Sequence, residues 1–274
     1  MKKLLTLLLT LILSLTAVVG LTACNGNTGA GGPAELTGDM KYIKDKGVLM
    51  VGITDYAPMD YLDENGEWIG FDAELAKAFA ETLGVRCEFF EITDWALKTT
   101  EINTKNIDLI WNGMTATPEL DEEIDFSVSY AKNAQVAVVK TSSSIATKDQ
   151  IKTAKVAVES GSAGETVTED EGFTNVVAPG NQRQALLEVV SGESEVAIID
   201  ITMAQSLVGK GEFAGLKIVE NVSYGDEIFA VGLRSGSNVK AELDAFLKAK
   251  YADGTMTALA EKYEVGLNTE ALSK

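Results

Sequence analysis

Ile107-Asp-Leu-Ile-Trp-Asn-Gly-Met-Thr-Ala-Thr-Pro118 reads as a strand that empties into a polar turn and then opens a helix. Ile107 to Trp111 is an apolar run of strand length, and Asn112-Gly113 is a turn pair. Thr117 suits an N-cap, and Pro118 suits the first helical position, where its missing N–H leaves no bond unmade. Two other segments share this grammar. Val48-Leu-Met-Val-Gly-Ile53 runs into Thr54-Asp-Tyr-Ala-Pro58, and Lys155-Val-Ala-Val158 runs into Glu159-Ser-Gly-Ser-Ala163, where Ser162 and Glu165 have capping-box spacing. Ligands of parallel α/β sheets gather where strand ends meet helix N-termini, so these three loops are the first place to look for a site. Singly each is weak, because Gly, Ser and Thr also serve turns.

Strand-like and helix-like segments alternate outward from this stretch, which predicts an α/β protein with mainly parallel strands. Asp63 to Gly66 is a hairpin turn between Tyr61 and Trp68 that lacks the later ligands of a calcium loop. Phe71, Leu75, Phe79 and Leu83 mark the buried face of a helix ending at Gly84. Arg86 to Ile92 is a strand in which Cys87 is expected to be a small buried residue. Helix Gln182–Val190 closed by Gly192, strand Glu195–Asp200, a further helix, a strand from Ile228 to Leu233 and two helices split at Asp253-Gly254 complete the pattern. No internal repeat is evident.

The chain has 274 residues, no histidine, two cysteines and a net charge of −18, which loss of Lys2 and Lys3 would take to −20. So acidic a body repels phosphate backbones, which disfavours nucleic-acid binding. Without histidine, Ser-His-Asp and Cys-His catalysis and the usual zinc sites are excluded. Neither metal nor other cofactor is expected. Lys2-Lys3, an apolar run from Leu4 to Val19, and Leu21-Thr-Ala-Cys24 resemble a bacterial lipoprotein signal, with residues 1–23 removed and Cys24 left as a lipid-bearing N-terminus. The alternative is an ordinary secreted protein with an incidental cysteine. Residues 24–36 are Gly-rich and read as a flexible tether with a mean reach of about 20 Å. The expected location is the outer side of the cytoplasmic membrane, lipid-anchored, extracellular or periplasmic. The remaining stretch of about 235 residues suffices for one large or two smaller domains.

Taken in order, Gly47–Gly52, Tyr56-Ala-Pro58, Gly70–Ala76, Ile107–Thr117, Asp125-Phe-Ser127, Ala157–Ser162, Glu195–Asp200, Ala252-Asp-Gly254 and Glu261-Lys-Tyr263 resemble the family 3 extracellular solute-binding proteins, the polar-amino-acid receptors of ABC importers. The resemblance runs from about Tyr42 to Tyr263. It implies a periplasmic-binding-protein type II fold: lobe one at residues 37–131 and 225–274, lobe two at 132–224, and two hinge crossings near 130–136 and 222–229. A ligand in the cleft would favour a closed population by touching both lobes. It also implies residue roles. Tyr56 and Trp95 would be aromatic walls, although Trp95 also suits plain core packing. Asn112, Gly113, Met114 and Thr115 form the lobe-one loop, with Gly113 and Thr115 bonding ligand amine and carboxylate through backbone and hydroxyl. Ser162 and Ala163 would offer backbone N–H donors, and Asp200 would pair with the α-ammonium. An acid closing a buried apolar strand is costly to desolvate without a partner.

One departure stands out. The family follows its Thr-Pro-Glu turn with an arginine that clamps the ligand carboxylate, and Leu120 stands there. Loss of a charged hydrogen-bonded pair weakens ordinary amino-acid binding by roughly tenfold or more. Arg86, Arg183 and Arg234 lie in no matching pocket segment, while Glu159 adds a carboxylate at a cleft position, unless it is a solvated loop residue. The expected ligand is therefore a polar or cationic amino acid, or a cationic amine lacking a carboxylate, held against Tyr56 and Trp95 by cation–π attraction. The expected protein is a monomer delivering this solute to an ABC permease, not an enzyme. A cyclohexadienyl dehydratase-like activity on the same scaffold is disfavoured because it needs cationic clamps for a dicarboxylate. A sensory ectodomain would need a later membrane helix, and none is evident before Lys274. The acidic run Asp121-Glu-Glu123 reads as a solvated helix face.

Overall fold

The computed structural model describes residues 36–274; the expected signal segment, Cys24 and nearly all of the expected tether lie outside the described residues. Twelve strands follow in chain order: β1 (Val48–Ile53), β2 (Tyr61–Leu62), β3 (Trp68–Ile69), β4 (Arg86–Glu91), β5 (Leu109–Ile110), β6 (Ile124–Phe126), β7 (Ala131–Lys140), β8 (Val156–Ala157), β9 (Val176–Val177), β10 (Val196–Asp200), β11 (Leu216–Phe229) and β12 (Gly232–Arg234). They form a first five-stranded sheet in the order β4-β1-β5-β12-β6, a second in the order β11-β7-β10-β8-β9, and the small hairpin β2-β3. The molecule thus has the two-lobe type II architecture, with one sheet per lobe.

The strands are not mainly parallel. In each large sheet two pairings are parallel and two antiparallel. The cause is the path between sheets. The chain leaves the first sheet after β6 and enters the second along β7; it returns along β11 and re-enters the first as β12. β7 and β11 therefore run beside each other in opposite directions, pairing Ala131 with Phe229, Asn133 with Glu227 and Val136 with Ser223, with two irregularities in β11. The single strand expected from Ile228 to Leu233 is instead the end of the fourteen-residue β11, a break at Ala230-Val231, and β12. Ser127 holds this break, its amide bonding the Val231 carbonyl and its hydroxyl accepting the Val231 N–H at 3.0 Å.

Local signals set the elements that flank the site. The helix Phe71–Leu83 ends at Gly84, whose φ of +72° closes it in a left-handed cap. Its Phe79 packs on Trp111 and Phe246 in the first lobe's core. Thr117 caps the short helix Pro118–Asp121 through the Leu120 amide, and Asn181 caps the helix Gln182–Ser191 through the Gln184 amide. Cys87 lies on β4, an edge strand, and is half-buried, not buried; packing still pushes its thiol up to about 12. No described helix is long and apolar enough to cross a membrane.

Arg234, at the end of β12, is the buried tie of the first lobe. Its guanidinium reaches Asp39 on the N-terminal helix at 2.9 Å, Asp108 at 3.4 Å, and the carbonyls of Ile102 and Ile107. Arg234→Ala leaves Asp108 its closer partner, Lys46 at 2.6 Å, but strips the Ile102 and Ile107 carbonyls and Asp39 of their donor. It is expected to cost about 1–3 kcal/mol, read as a lower urea midpoint at unchanged slope.

Candidate functional site

A cavity of about 1040 Å³ lies between the lobes, at the top of the range for small-molecule sites. All eleven residues singled out in the sequence, from Tyr56 to Asp200, line it. On its outer side the lobes touch: Lys98 Nζ donates to the Gly161 carbonyl at 2.8 Å, and Arg183 faces Asp55 at 3.8 Å. At Gly161 the approach is so close that a Cβ there would lie 2.5 Å from the Ala96 Cα. The cleft is closed.

The lobe-one wall is set by the loops after β1 and β5. Asn112 joins the two, its Oδ1 accepting the Thr54 N–H at 2.8 Å and its Nδ2 donating to the Thr54 hydroxyl at 2.7 Å. Gly113 has a φ of +55°, and a Cβ there would lie 2.6 Å from the Tyr56 ring. Its N–H donates to Asp72 Oδ2 at 2.7 Å, which leaves the Gly113 carbonyl as the backbone group open to a ligand amine. Met114 is 1% exposed and clusters with Trp95 and Ile102 in the core, so it borders the cavity through little more than backbone. Tyr56 packs edge-on against Phe229, and its buried hydroxyl faces Asp200 without a well-formed hydrogen bond. Trp95 is both core and wall, with Lys98 Nζ already 5.2 Å from its ring centroid. Leu120 is half-buried at the rim.

The lobe-two wall is built on the ends of β8 and β10. Ser162 Oγ accepts the Glu165 N–H at 3.2 Å, and the Glu165 carboxylate reaches back to the Gly161 N–H at 2.7 Å, one residue earlier than a standard capping box. Asp200 is 3% exposed. Its Oδ1 accepts from the Asn133 and Gln135 amides, its Oδ2 from Gln182, and its own N–H donates to Gln182 Oε1 at 2.9 Å. The same Asn133 and Gln135 amides donate to Glu227 Oε2, at 2.7 and 3.0 Å, and Thr115 Oγ1 donates to it at 2.9 Å. Glu227 sits on the crossing strand β11. Glu159 is 4% exposed and has one long contact, Gln182 Nε2 at 3.4 Å.

The electrostatics are one-sided. Eight carboxylate residues line the cavity against two lysines, and of the lysines Lys132 is exposed. The groups bonded to Asp200 and Glu227 are neutral amides and a hydroxyl, which satisfy lone pairs without cancelling charge. Burial, then the neighbouring Asp200, raises the Glu159 carboxyl to about 8. Burial likewise raises Asp200, and burial plus Asp200 raises Glu227. A desolvated acid whose protonated form is favoured in this way gains most from an incoming cation.

Sequence reading missed Lys98, Asn133, Gln182 and Glu227. Lys98 and Glu227 lie in helix-start and strand segments where a charge usually points to solvent. Only a lysine in the otherwise uncharged Trp95-Ala-Leu-Lys98 turn hinted at burial.

The family model described as "Bacterial extracellular solute-binding proteins, family 3" matches residues 49–266. The arginine-binding extracellular protein ArtP of Bacillus subtilis (strain 168) is 27% identical over 226 residues, covering 81% of this chain and 87% of that protein. The P235GK mutant of ArgBP from T. maritima superposes with a TM-score of 0.77 at 29% identity, covering 82% of this chain and 98% of the other. AncCDT-1, an ancestral amino-acid-binding protein described as a precursor of cyclohexadienyl dehydratase, gives 0.75 at 30% identity with the same coverage. The family and the curated relatives are binding proteins, not enzymes.

Glu159 also makes a stability prediction. Its carboxyl is held near 8 when folded and reverts to its ordinary 4.5 on unfolding, so the folded chain holds the proton more tightly between these values. That contribution is complete below about pH 4.5 and is lost as the pH rises to about 8. The melting temperature of the ligand-free protein is expected to fall across this window. Glu159→Gln is expected to make the fall shallower, with Asp200 and Glu227 retaining the remainder.

Proposed function

We propose, from the premise that this chain belongs to family 3 of the bacterial extracellular solute-binding proteins, that it captures a cationic amino acid for an ABC importer. The substrate-binding role in amino-acid uptake is that of the family and the relatives. The observation that carries the cationic reading is the convergence of Glu159, Asp200 and Glu227 on one closed cavity with no guanidinium and a single buried ammonium. ArtP and ArgBP are named for arginine, which fits this charge.

In this reading Asp200, flanked by Glu227 and Thr115, receives the α-ammonium. Glu159 faces the side-chain cation, and Tyr56 and Trp95 enclose the apolar stem. Ala163 presents a backbone donor at the head of the helix Ala163–Asp170, the Ser162 N–H being bonded to the Glu159 carbonyl at 3.2 Å. Residues 37–131 with 225–274 form one lobe and 132–224 the other, and closure about the two crossings buries the solute. The mature protein is a monomer held to the membrane by lipid on Cys24 and passes its cargo to a permease. A carboxylate-free amine is the second reading, favoured by Leu120 in the arginine's place. Catalysis on a dicarboxylate is disfavoured by the acidic lining, which would repel such a substrate.

Thermal-shift and calorimetric titration with L-arginine, L-lysine, L-ornithine, neutral and acidic amino acids, and diamines tests the reading. The basic compounds are expected to raise the melting temperature, with about 2.7 kcal/mol of added stability at a hundredfold excess over Kd. Stabilisation by acidic amino acids alone would overturn it.

A further inference from the structure

We propose that Lys98 is a specificity residue of this site: its ammonium supplies the ligand-carboxylate contact that Leu120 cannot make. This rests on the reading of the cleft as an amino-acid site. Lys98 opens the helix Lys98–Asn103 of lobe one, lines the cavity and is 5% exposed. Its Nζ donates to the Gly161 carbonyl of lobe two at 2.8 Å and, more weakly, to the Trp95 carbonyl at 3.4 Å. No carboxylate among the described residues lies within 4.0 Å of it. An ammonium has three donors, so one remains, and the charge itself is unpaired.

The position of that donor matters. Gly161 immediately precedes Ser162, the N-cap of the eight-residue helix Ala163–Asp170, whose first amides border the cavity. A buried ammonium anchored one residue from a helix N-terminus is the buried feature of this acid-rich cavity that suits an anion, although the Glu165 carboxylate already takes the Gly161 N–H beside it and the second lining lysine, Lys132, is exposed. Asp200 and Glu227 border the same cavity from β10 and β11. An α-amino acid can therefore lie with its carboxylate at Lys98 and the head of this helix, and its ammonium toward the two acids. Burial lowers the lysine's affinity for its proton, and Glu159, Glu123 and Glu165 offset that only in part. Cation-for-cation replacement from another element explains how Leu120 is tolerated: the clamp has moved from the Pro118–Asp121 turn to the Trp95–Lys98 turn.

The test pairs each amino acid with its decarboxylated amine: L-arginine with agmatine, L-lysine with cadaverine, L-ornithine with putrescine. The wild-type protein is expected to prefer each amino acid by tenfold or more in Kd. Lys98→Met is expected to remove most of that preference by weakening the amino acid at least tenfold while changing the amine less than about threefold. Lys98→Arg is expected to keep the preference, and adding Leu120→Arg to Lys98→Met is expected to restore part of it, which shows that the variant is folded. Equal weakening of acid and amine in Lys98→Met would overturn the proposal in favour of a mere interlobe tie. A wild-type protein indifferent to the carboxylate would overturn it too. If no basic ligand binds and a neutral or acidic amino acid does, the cationic reading fails. Lys98 is then judged on that amino acid against its carboxamide, by the same loss or retention of preference.

Discussion

Two carboxylates, Asp200 and Glu227, share the amide hydrogens of Asn133 and Gln135, and the arrangement of the cleft depends on this sharing. A charge withdrawn from water costs several kcal/mol unless it is hydrogen-bonded and neutralised. The amides provide the first condition and withhold the second. They hold the acids in place without cancelling charge, so a proton taken up by the acids or an incoming cation supplies the neutralisation. Because Asn133 and Gln135 lie on β7 and Glu227 on β11, the acids are pinned to the paired strands that cross between the sheets. The site and the hinge are built from the same residues.

This coupling also accounts for the fold's mixed strand directions. Two crossings that lie side by side must run in opposite senses, and each then joins a sheet whose other strands follow the βαβ rule. A purely parallel architecture would have separated the crossings and left Glu227 far from Asn133. The irregularities in β11 between Ile218 and Asp226 bend the returning strand while it keeps its register with Ala131 to Ala134.

Much of this was legible in the residues because it is local. Thr117 and Pro118, Ser162 with Glu165, and Gly84 and Gly192 each act within one turn of chain, and each is found at the helix end its chemistry suits. The three strand-end loops gather on one cavity for the same reason: a strand end meets a helix start wherever this alternation occurs. What escaped was set by distance along the chain. Glu227 meets Asn133 across 94 residues, and Lys98 meets Gly161 across 63; no periodicity encodes either encounter. Strand direction was misjudged because the alternation of strands and helices is blind to where the chain changes sheets. Cys87 was misjudged because an apolar neighbourhood in sequence does not reveal that its strand is the sheet's edge.

The contact between Gly161 and Ala96 has a mechanical corollary. Backbone meets backbone there with less clearance than one methyl group needs. Side chains can yield by changing rotamer, but main chain cannot, so this point acts as a rigid doorstop on the closing swing. The width of the shut chamber is thereby fixed by the polypeptide itself, and solutes are measured against a gauge whose setting their own size cannot alter.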